Sequence, residues 1–250
     1  MRIRLLSDLH TEFGVSPAAE TYSEYRGEDV VVLAGDIAVG AVGVAKVLEH
    51  FAKIFPQVVY VPGNHEYYGS QVEEFDNEIS DWCLGQANIH LLDRNSVVVG
   101  EVEFVGATLW TNFGENIWAK MAAKKMINDF RSIKHFSPDA AEARYNRDVE
   151  YIQQALQNRQ ARHTCVVTHF LPAQACIAPQ YRNPHDLTNL YFANGLDNYI
   201  GYLPETTWMF GHTHTPMDFC LGNTRLVCNP CGYPGERNRQ QFNPFKEIVL

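Results

Sequence analysis

The chain has 250 residues, 46% of them hydrophobic, and a formal net charge of -9 at pH 7. This length and composition fit one large α/β domain about as well as two small ones, and allow a substantial core. We expect a single domain over residues 1–250. The acidic balance argues against a general nucleic-acid-binding surface, which would need clustered Lys and Arg residues. Any phosphate that the protein handles must therefore be met by a local site.

The N-terminal residues and the cysteines bear on the compartment. The first ten residues lack the long apolar segment and small-residue cleavage site of a secretion signal. No apolar run reaches the roughly 18 residues of a membrane span. The six cysteines are scattered, and only Cys228 and Cys231 lie close together. Because a zinc ribbon needs a second pair and a redox motif opens a helix, we interpret this pair as structural. Together these features predict a cytoplasmic protein.

In chain order, the first half of the sequence predicts a βαβαβ pattern. Apolar β-branched runs in "RIRLLSDLH", "DVVVLAGDI" and "QVVYVPGNHE" alternate with helix-like stretches at 42–55 and 70–85. Three short strand-like runs follow within "NIHLLDRNSVVVGEVEFVGATLW", and residues 112–160 predict a polar, helical, cap-like insertion. Strand-like runs then return in "HTCVVTHF", "TTWMFGHTH", "MDFCLG", "NTRLVCNP" and "KEIVL". The order of elements indicates an α/β fold.

Polar side chains follow five of these apolar runs directly. They are Asp8, His10, Asp36, Asn64, His169, His212 and His214. One such residue alone has an ordinary explanation as a helix cap or a turn residue. In open α/β sheets, however, sites form beyond the carboxyl ends of the strands, where all seven would meet. Two carboxylates, one amide and four imidazoles suit Mn, Fe, Zn or Co better than a closed structural zinc site. Seven ligands fit two ions sharing one carboxylate, about 3.5 to 4 Å apart.

The stretch "GHTH" at 211–214 holds two of these imidazoles. In extended backbone, residues two apart point to the same side, so the rings of His212 and His214 would reach one object together. The alternative is two ordinary polar residues in a turn, since Gly211 and Pro216 are typical turn residues. For this segment taken by itself, the turn interpretation is favoured.

Five motifs stand in order along the chain: "DLH" at 8–10, "GD" at 35–36, "GNHE" at 63–66, "TH" at 168–169 and "GHTH" at 211–214. In this pattern the sequence resembles the calcineurin-like metallophosphoesterases. The resemblance implies a four-layer α-β-β-α sandwich, in which two mixed β-sheets are flanked by helices. It also implies hydrolysis of phosphate esters at a dinuclear metal centre, for which we favour Mn.

The resemblance also assigns roles to the residues. It implies that Asp8, His10 and His214 bind one metal ion and that Asn64, His169 and His212 bind the other, while Asp36 bridges both. A hydroxide bridging the ions would attack phosphorus. His65 would act as the general acid that protonates the leaving oxygen; the alternative is a residue beside a helix cap with no catalytic role. Glu66 is expected to be structural.

Departures from known branches of the family narrow the substrate. The run "GDIAVGA" lacks the later Asp and Arg of the Ser/Thr phosphatase motif GDxVDRG, which also leaves open what orients His65. Only a short segment follows His214, whereas repair nucleases carry further domains there. We therefore expect a small phosphorylated substrate, such as a nucleotide or another phosphodiester or monoester. The alternatives are a phosphoprotein phosphatase, a nuclease or a catalytically silent metal-binding scaffold.

The predicted insertion at 112–160 is the candidate for substrate selection. Its helix-spaced lysines are interpreted as a solvated face. Arg131 and His135 are predicted to bind substrate, because a planar guanidinium can clamp a phosphate. The loop "CGYPGERN" at 231–238 either rims the active site or only connects the last strand to the sheet. The oligomeric state is left open.

Overall fold

The computed structural model describes residues 1–14, 20–183 and 185–250. In chain order its strands are β1 (Arg2–Leu6), β2 (Val30–Ala34), β3 (Gln57–Val61), β4 (Ile89–Leu91), β5 (Asn95–Val99), β6 (Val102–Ala107), β7 (His163–Thr168), β8 (Thr206–Phe210), β9 (Met217–Leu221), β10 (Thr224–Cys228) and β11 (Glu247–Val249). The helices are α1 (Gly40–Ala52), α2 (Val72–Leu84), α3 (Ile117–Met126), α4 (Asp129–Ser132), α5 (Pro138–Gln157), α6 (Asn189–Phe192) and α7 (Asp197–Ile200). The predicted βαβαβ pattern corresponds to β2-α1-β3-α2-β4, and β1 precedes it with no α-helix between β1 and β2 among the described residues.

The strands form two mixed sheets. The first has the order β11-β1-β2-β3-β4 and the second the order β5-β6-β7-β8-β10-β9. Neighbours are parallel except at three pairs, β1 with β11, β5 with β6 and β9 with β10, which are antiparallel. The parallel strands that carry the motifs therefore end at the same edge within each sheet.

The layers follow from alternation along buried strands. Val30 and Val32 of β2 pack between the sheets in one cluster with Val167 and Met209 of the second sheet. Val31, between them in sequence, points to the other face and joins the cluster that contains the helix residues. Because strand side chains alternate between faces, one sheet packs against the other sheet and against helices at once. The four-layer sandwich implied by the resemblance is confirmed.

The helices begin and end close to the predicted bounds. The predicted helix at 42–55 begins at Gly40 and ends at Ala52. The helix α2 begins with a capping box in which Gln71 and Glu74 bond each other's backbone N–H groups. The predicted insertion contains α3, α4 and α5, and the Ser137 hydroxyl caps α5 by accepting from the Ala140 N–H.

The motif-bearing edges of the two sheets lie directly against each other. The Gly211 N–H donates to the His169 carbonyl at 3.0 Å. A Cβ on Gly211 would lie 2.6 Å from the Ala34 carbonyl oxygen of the other sheet, so only glycine fits. This close approach joins the loops after β2, β7 and β8 at one place.

Two further features complete the fold. Over the described ranges, no helix is both long and apolar enough to cross a membrane. All six cysteines are free thiols, and Cys228 and Cys231 are both buried. Burial raises the pKa of Cys231 to about 11, which disfavours the thiolate that metal binding or redox chemistry requires.

Candidate active site

The seven predicted ligands come together where the two sheets meet. Three groups offer ligand atoms that lie within 4.8 Å of one another: Asp8, His10 and His214; Asp36, His169 and His212; and His10, Asp36 and His65. Asn64 joins the second group, since its Oδ1 lies 3.1 Å from His169 Nε2. The first two groups have the membership that the resemblance implies for two separate ions.

In the first group, imidazole lone pairs face each other. The Nδ1 atom of His10 lies 3.0 Å from Glu12 Oε1, and that of His214 lies 2.7 Å from Glu236 Oε2. With each Nδ1–H donating to a carboxylate, the neutral form of each imidazole carries its lone pair on Nε2. Those two Nε2 atoms are only 3.1 Å apart, with Asp8 Oδ1 3.4 Å from His214 Nε2. This donor arrangement fits a cation, held by histidines that carboxylates orient from behind.

The second group gives the same result. His169 Nδ1 donates to the Ala34 carbonyl at 2.9 Å, so its Nε2 carries the lone pair. That Nε2 faces two oxygen acceptors, Asp36 Oδ2 at 3.4 Å and Asn64 Oδ1. The Nε2 atom of His212 is buried and finds no hydrogen-bond partner within the described part of the chain. Buried polar atoms normally have partners, so this orphan nitrogen also fits a metal ligand.

The pKa shifts of the site side chains also indicate that the two groups favour a positive charge between their members. Burial alone would lower the pKa of His214, but its hydrogen bonds with Asp8 and Glu236 raise it to about 10. Burial would raise the pKa of Asp36, yet the neighbouring histidines hold it well below its ordinary value. His212 differs, because burial and the neighbouring imidazoles lower its pKa well below the ordinary value. Divalent ions would supply the charge without protonating the ligands.

The backbone of the ligand loops is strained. Positive φ angles occur at Asp8 (54°), His10 (48°), Asp36 (54°), His212 (68°) and His214 (45°). Non-glycine residues in this left-handed region cost about 1 to 3 kcal/mol each and cluster at functional sites. The extended backbone assumed for "GHTH" is wrong. This turn is what sends His212 to the Asp36 group and His214 to the Asp8 group.

His65 lies beside both groups and is held from three sides. Its backbone N–H donates to Asp36 Oδ1 at 2.9 Å. In its ring, Nδ1 lies 3.1 Å from Glu12 Oε1 and Nε2 lies 2.9 Å from the Tyr233 hydroxyl. Glu12 therefore contacts both His10 and His65. It orients His65 in place of the later Asp of the motif GDxVDRG, which this sequence lacks. Burial lowers the pKa of His65, but the charge of Asp36 and the bond with Glu12 raise it to about 9.

Asn64 is oriented by the predicted insertion. Its Nδ2 donates to Asp129 Oδ1 at 3.0 Å, which turns its Oδ1 toward His169. The buried Asp129 carboxylate also accepts from the hydroxyls of Tyr68, at 2.6 Å, and Tyr191. Burial raises the pKa of Asp129, although these three donors act against the rise. The helix α4 thus supports a ligand that lies on a different loop.

Glu66 is structural, as expected. Its carboxylate accepts from the backbone N–H groups of Asp36, Ile37 and Gly63 and so ties the turn after β2 to the turn after β3. A Cβ on Gly63 would collide with the Asp36 carboxylate. A Cβ on Gly35 would likewise collide with the His169 ring, so the glycines of "GNHE" and "GD" leave room for Asp36 and His169 respectively.

A cleft of about 640 Å³ opens over these groups. Its floor includes Asp36, Asn64, His65, His212 and His214, and its rim includes Tyr233 and Glu236 of the loop at 231–238. Its walls come from two segments, 126–129 and 177–192, with apolar members such as Ile127 and Phe192 and neutral polar members such as Gln180 and Asn189. Among the lining residues that the structure describes, none is Lys or Arg. The loop at 231–238 thus rims the site and is more than a connection.

Arg131 and His135 are not in the cleft. Both are exposed, whereas Asp129 at the start of the same short helix is buried and lines the cleft. Residues two apart on a helix point about 200° apart, so turning Asp129 inward turns Arg131 outward. The structure therefore places both residues, which the sequence predicted to bind substrate, on the surface outside the cleft.

The comparison with known proteins agrees with this geometry. The model of the calcineurin-like phosphoesterase family matches residues 1–216. The chain belongs to this family. It is accordingly a phosphoric ester hydrolase, with His and Asp groups that are candidates for metal binding.

Several relatives and solved structures are similar. The chain is 28% identical over 284 residues to the uncharacterized protein L509 of Acanthamoeba polyphaga mimivirus, covering 100% of this chain and 97% of the relative. It is 29% identical over 114 residues to the acyl-carrier-protein phosphodiesterase PptH of Mycobacterium tuberculosis, covering 44% of this chain and 32% of that protein. The crystal structure of phosphopantetheinyl hydrolase (PptH) from that organism aligns with TM-score 0.77 and 19% identity over 99% of this chain and 95% of the other. The crystal structure of TT1561 from Thermus thermophilus aligns with TM-score 0.58 and 12% identity over 92% of this chain and 88% of the other. At these identities the solved structures support the fold alone.

Proposed function

We propose that the chain hydrolyses a phosphodiester at a two-metal centre on the floor of this cleft. The observation that carries the proposal is the pair of donor groups on either side of Asp36, whose Oδ2 lies 3.8 Å from His10 Nε2 and 3.4 Å from His169 Nε2. Asp8, His10 and His214 would hold one ion, and Asn64, His169 and His212 the other. Asp36 would contact both, and the donor set suits Mn, Fe, Zn or Co, with Mn favoured.

The chemistry follows from charge and from the position of His65. Two bound divalent ions would offset the phosphate charge and lower the pKa of water, so that hydroxide is present near neutral pH. Attack of hydroxide on phosphorus forms one P–O bond and breaks the P–O bond to the leaving group. His65 would give its proton to the leaving oxygen, a contribution typically worth about 10² to 10⁴ in rate. Glu12 contacts both His65 and His10 and is not among the described residues that line the cleft, so we assign it a positioning role.

The lining of the cleft favours a diester over a monoester. A phosphate monoester carries close to one more negative charge than a diester at neutral pH, because its second pKa is about 6. Beyond the metal centre the described lining offers carboxylates, such as Asp186 and Glu236, and no cationic side chain to meet that charge. The neutral and apolar walls instead suit an uncharged ester arm.

For the arm itself we propose phosphopantetheine carried on a protein. The sequence likeness to the acyl-carrier-protein phosphodiesterase PptH supports this choice, with 29% identity over 44% of this chain. The amide side chains of Gln180, Asn183 and Asn189 line one wall and could pair with the amides of such an arm. The six free cysteines support the reducing cytoplasm as the compartment. The helices of the 117–157 segment would serve as the wall and partial cap of this single domain.

Hydrolysis assays test the proposal. Metal-stripped protein reloaded with Mn²⁺ would be given bis-p-nitrophenyl phosphate, p-nitrophenyl phosphate and a holo-acyl carrier protein, the last followed by intact mass spectrometry. We expect faster cleavage of the diester than of the monoester, and loss of phosphopantetheine from the carrier. Faster monoester cleavage would overturn the diester assignment. Cleavage of the model diester with an unchanged carrier would overturn the arm alone. Inactivity toward all three with Mn²⁺, Fe²⁺, Zn²⁺ and Co²⁺ would overturn the catalytic centre.

A further inference from the structure

The helix α3 leaves a largely apolar face open to solvent. It packs through Ala119 and Ala123, which are buried. The opposite side exposes large apolar side chains: Ile117 is 61%, Trp118 65% and Met121 48% exposed. Because 117, 118, 121 and 125 fall on one side of a helix, these side chains form one surface with Lys125. We call Ile117, Trp118, Met121, Lys124 and Lys125 the α3 face.

The α3 face is basic in an acidic protein. Lys124 and Lys125 are exposed, and neither forms an ion pair with any residue in the described ranges. Lys120, one turn earlier, differs, because it pairs with Asp139 and Glu142 of α5 at 2.9 and 2.6 Å. In a chain of net charge -9, two unneutralised lysines beside an exposed Trp make a local basic and apolar surface.

The α3 face is continuous with the cleft. Its helix ends at Met126, and Met126 and Ile127 form part of the cleft wall. The next residues, Asn128 and Asp129, also line the cleft, and Asp129 bonds the predicted ligand Asn64. A molecule seated on the α3 face would therefore lie at the mouth of the site and could reach into it with an extended arm.

We propose that the α3 face is a docking surface for an acidic protein that carries the phosphodiester arm. The proposal rests on the proposed function, because it assumes that the scissile arm is attached to a protein. Carboxylates of the partner would meet Lys124 and Lys125, and its apolar residues would cover Trp118 and Met121. Trp and basic residues in this arrangement are typical centres of interface energy, while their charges steer the encounter.

A protein fits the α3 face better than a membrane or a second copy. A second copy carries the same net charge of -9, so the two copies repel each other. The surface that complements the α3 face has carboxylates next to apolar side chains. An anionic bilayer would need a larger apolar face than the ten residues of α3 offer. Neither would by itself deliver a diester into the cleft at Met126.

The test uses two double variants of the full chain. They are Trp118→Ala/Met121→Ala and Lys124→Glu/Lys125→Glu, neither of which touches the lining of the cleft. A matched control is Val42→Ala/Lys46→Glu on α1, where Val42 is 71% exposed and Lys46 is exposed. Each Mn²⁺-loaded protein would be assayed with an acidic holo-acyl carrier protein and with bis-p-nitrophenyl phosphate.

The expected result is a split between the two substrates. Each α3 variant should lower kcat/KM for the carrier protein by about tenfold or more, the effect of losing an interface hot spot. Both α3 variants should cleave bis-p-nitrophenyl phosphate as the unmodified chain does, and the control should cleave both substrates normally. Equal losses on both substrates, or no loss on the carrier, would overturn the docking surface.

Two further outcomes would also overturn it. One is loss, in the α3 variants, of binding to phosphatidylglycerol vesicles with carrier cleavage unchanged, which would assign the face to a membrane. The other is a dimer of the unmodified chain that the α3 variants convert to a monomer in light scattering, with carrier cleavage unchanged.

If no variant or parent cleaves the carrier but all cleave the model diester, the arm assigned under the proposed function fails. In that case titration calorimetry of the parent and of the Lys124→Glu/Lys125→Glu variant with carrier protein decides the docking surface, and absence of binding to the parent, or equal binding to both, overturns it.

Discussion

The floor and the walls of the cleft are built from different kinds of structure. The floor consists of short turns at the ends of β1, β2, β3, β7 and β8, and it carries buried carboxylates and imidazoles. The walls come from residues within 126–129, 177–183 and 186–192, which lie outside the sheets and offer mainly apolar and neutral polar side chains, with the carboxyl groups of Asp129 and Asp186 among them. From this difference we expect that the turns at the strand ends set the reaction and that the connections outside the sheets select the substrate.

One contact joins the two regions. Asp129 of the wall accepts a hydrogen bond from Asn64 of the floor, and two tyrosines hold Asp129 in place. The walls therefore do more than enclose the substrate, because one of them fixes the orientation of a predicted ligand. Variants of floor and wall should separate these contributions.

The largest effect is expected for Asp36→Asn on the floor. It removes the charge that lies between the two donor groups, so we expect loss of bound metal and loss of detectable hydrolysis. Metal content after dialysis, measured by plasma mass spectrometry, checks the first, and bis-p-nitrophenyl phosphate checks the second. Asp81→Asn, on the exposed side of α2, is the matched control. Full metal content in the Asp36 variant would remove this residue from its bridging role.

The next effect is expected for His65→Ala. Metal content should stay normal, because His65 is not a predicted ligand, while kcat should fall about 10²- to 10⁴-fold as for loss of a general acid. Stopped-flow turnover and metal analysis on one preparation check both parts. A His65 variant that retains full turnover contradicts the assignment, and one that loses its metal would make His65 a ligand.

A smaller effect is expected for Glu12→Gln, which keeps the shape of the side chain but removes its charge. Because Glu12 orients both His10 and His65, we expect about a 10- to 100-fold loss of activity, the usual cost of removing a group behind a metal ligand. The loss should fall on kcat more than on KM for bis-p-nitrophenyl phosphate. Glu24→Gln, at an exposed surface pair with Arg26, serves as the control. Equal behaviour of the two variants would show that Glu12 has no positioning role.

The smallest effect is expected for Arg131→Ala and His135→Ala. Both side chains are exposed outside the cleft, so neither variant should change KM or kcat for bis-p-nitrophenyl phosphate. Steady-state kinetics check this directly. A marked rise in KM for Arg131→Ala would restore the phosphate contact predicted from sequence and would mean that the wall moves when substrate binds.

The residues that meet at the sheet edges could be predicted from sequence because the ends of strands can be recognised in a chain. Asp8, Asp36 and His169 each follow an apolar run at once, so locating the strand locates the residue. Glu12, Asp129, Tyr233 and Glu236 were missed, since each acts through a partner that is remote in sequence or on a different turn. Glu12 alone left a signal, two residues after His10, but nothing in the spacing connects it with His65. Arg131 was misplaced because composition does not give the rotation of a helix about its axis.

The sequence by itself determined the family, the order of strands and helices and the types of donor atom at the site. Those depend on local periodicity and on which residue follows each strand. Only the tertiary structure decided that Glu12 supports His65, that Asp129 of the insertion orients Asn64, and that the left-handed turn at 212–214 divides its two histidines between the donor groups. These contacts depend on how the two sheets and their connections pack in three dimensions. The free energy of that packing comes from many segments together, so no single segment of the sequence determines it.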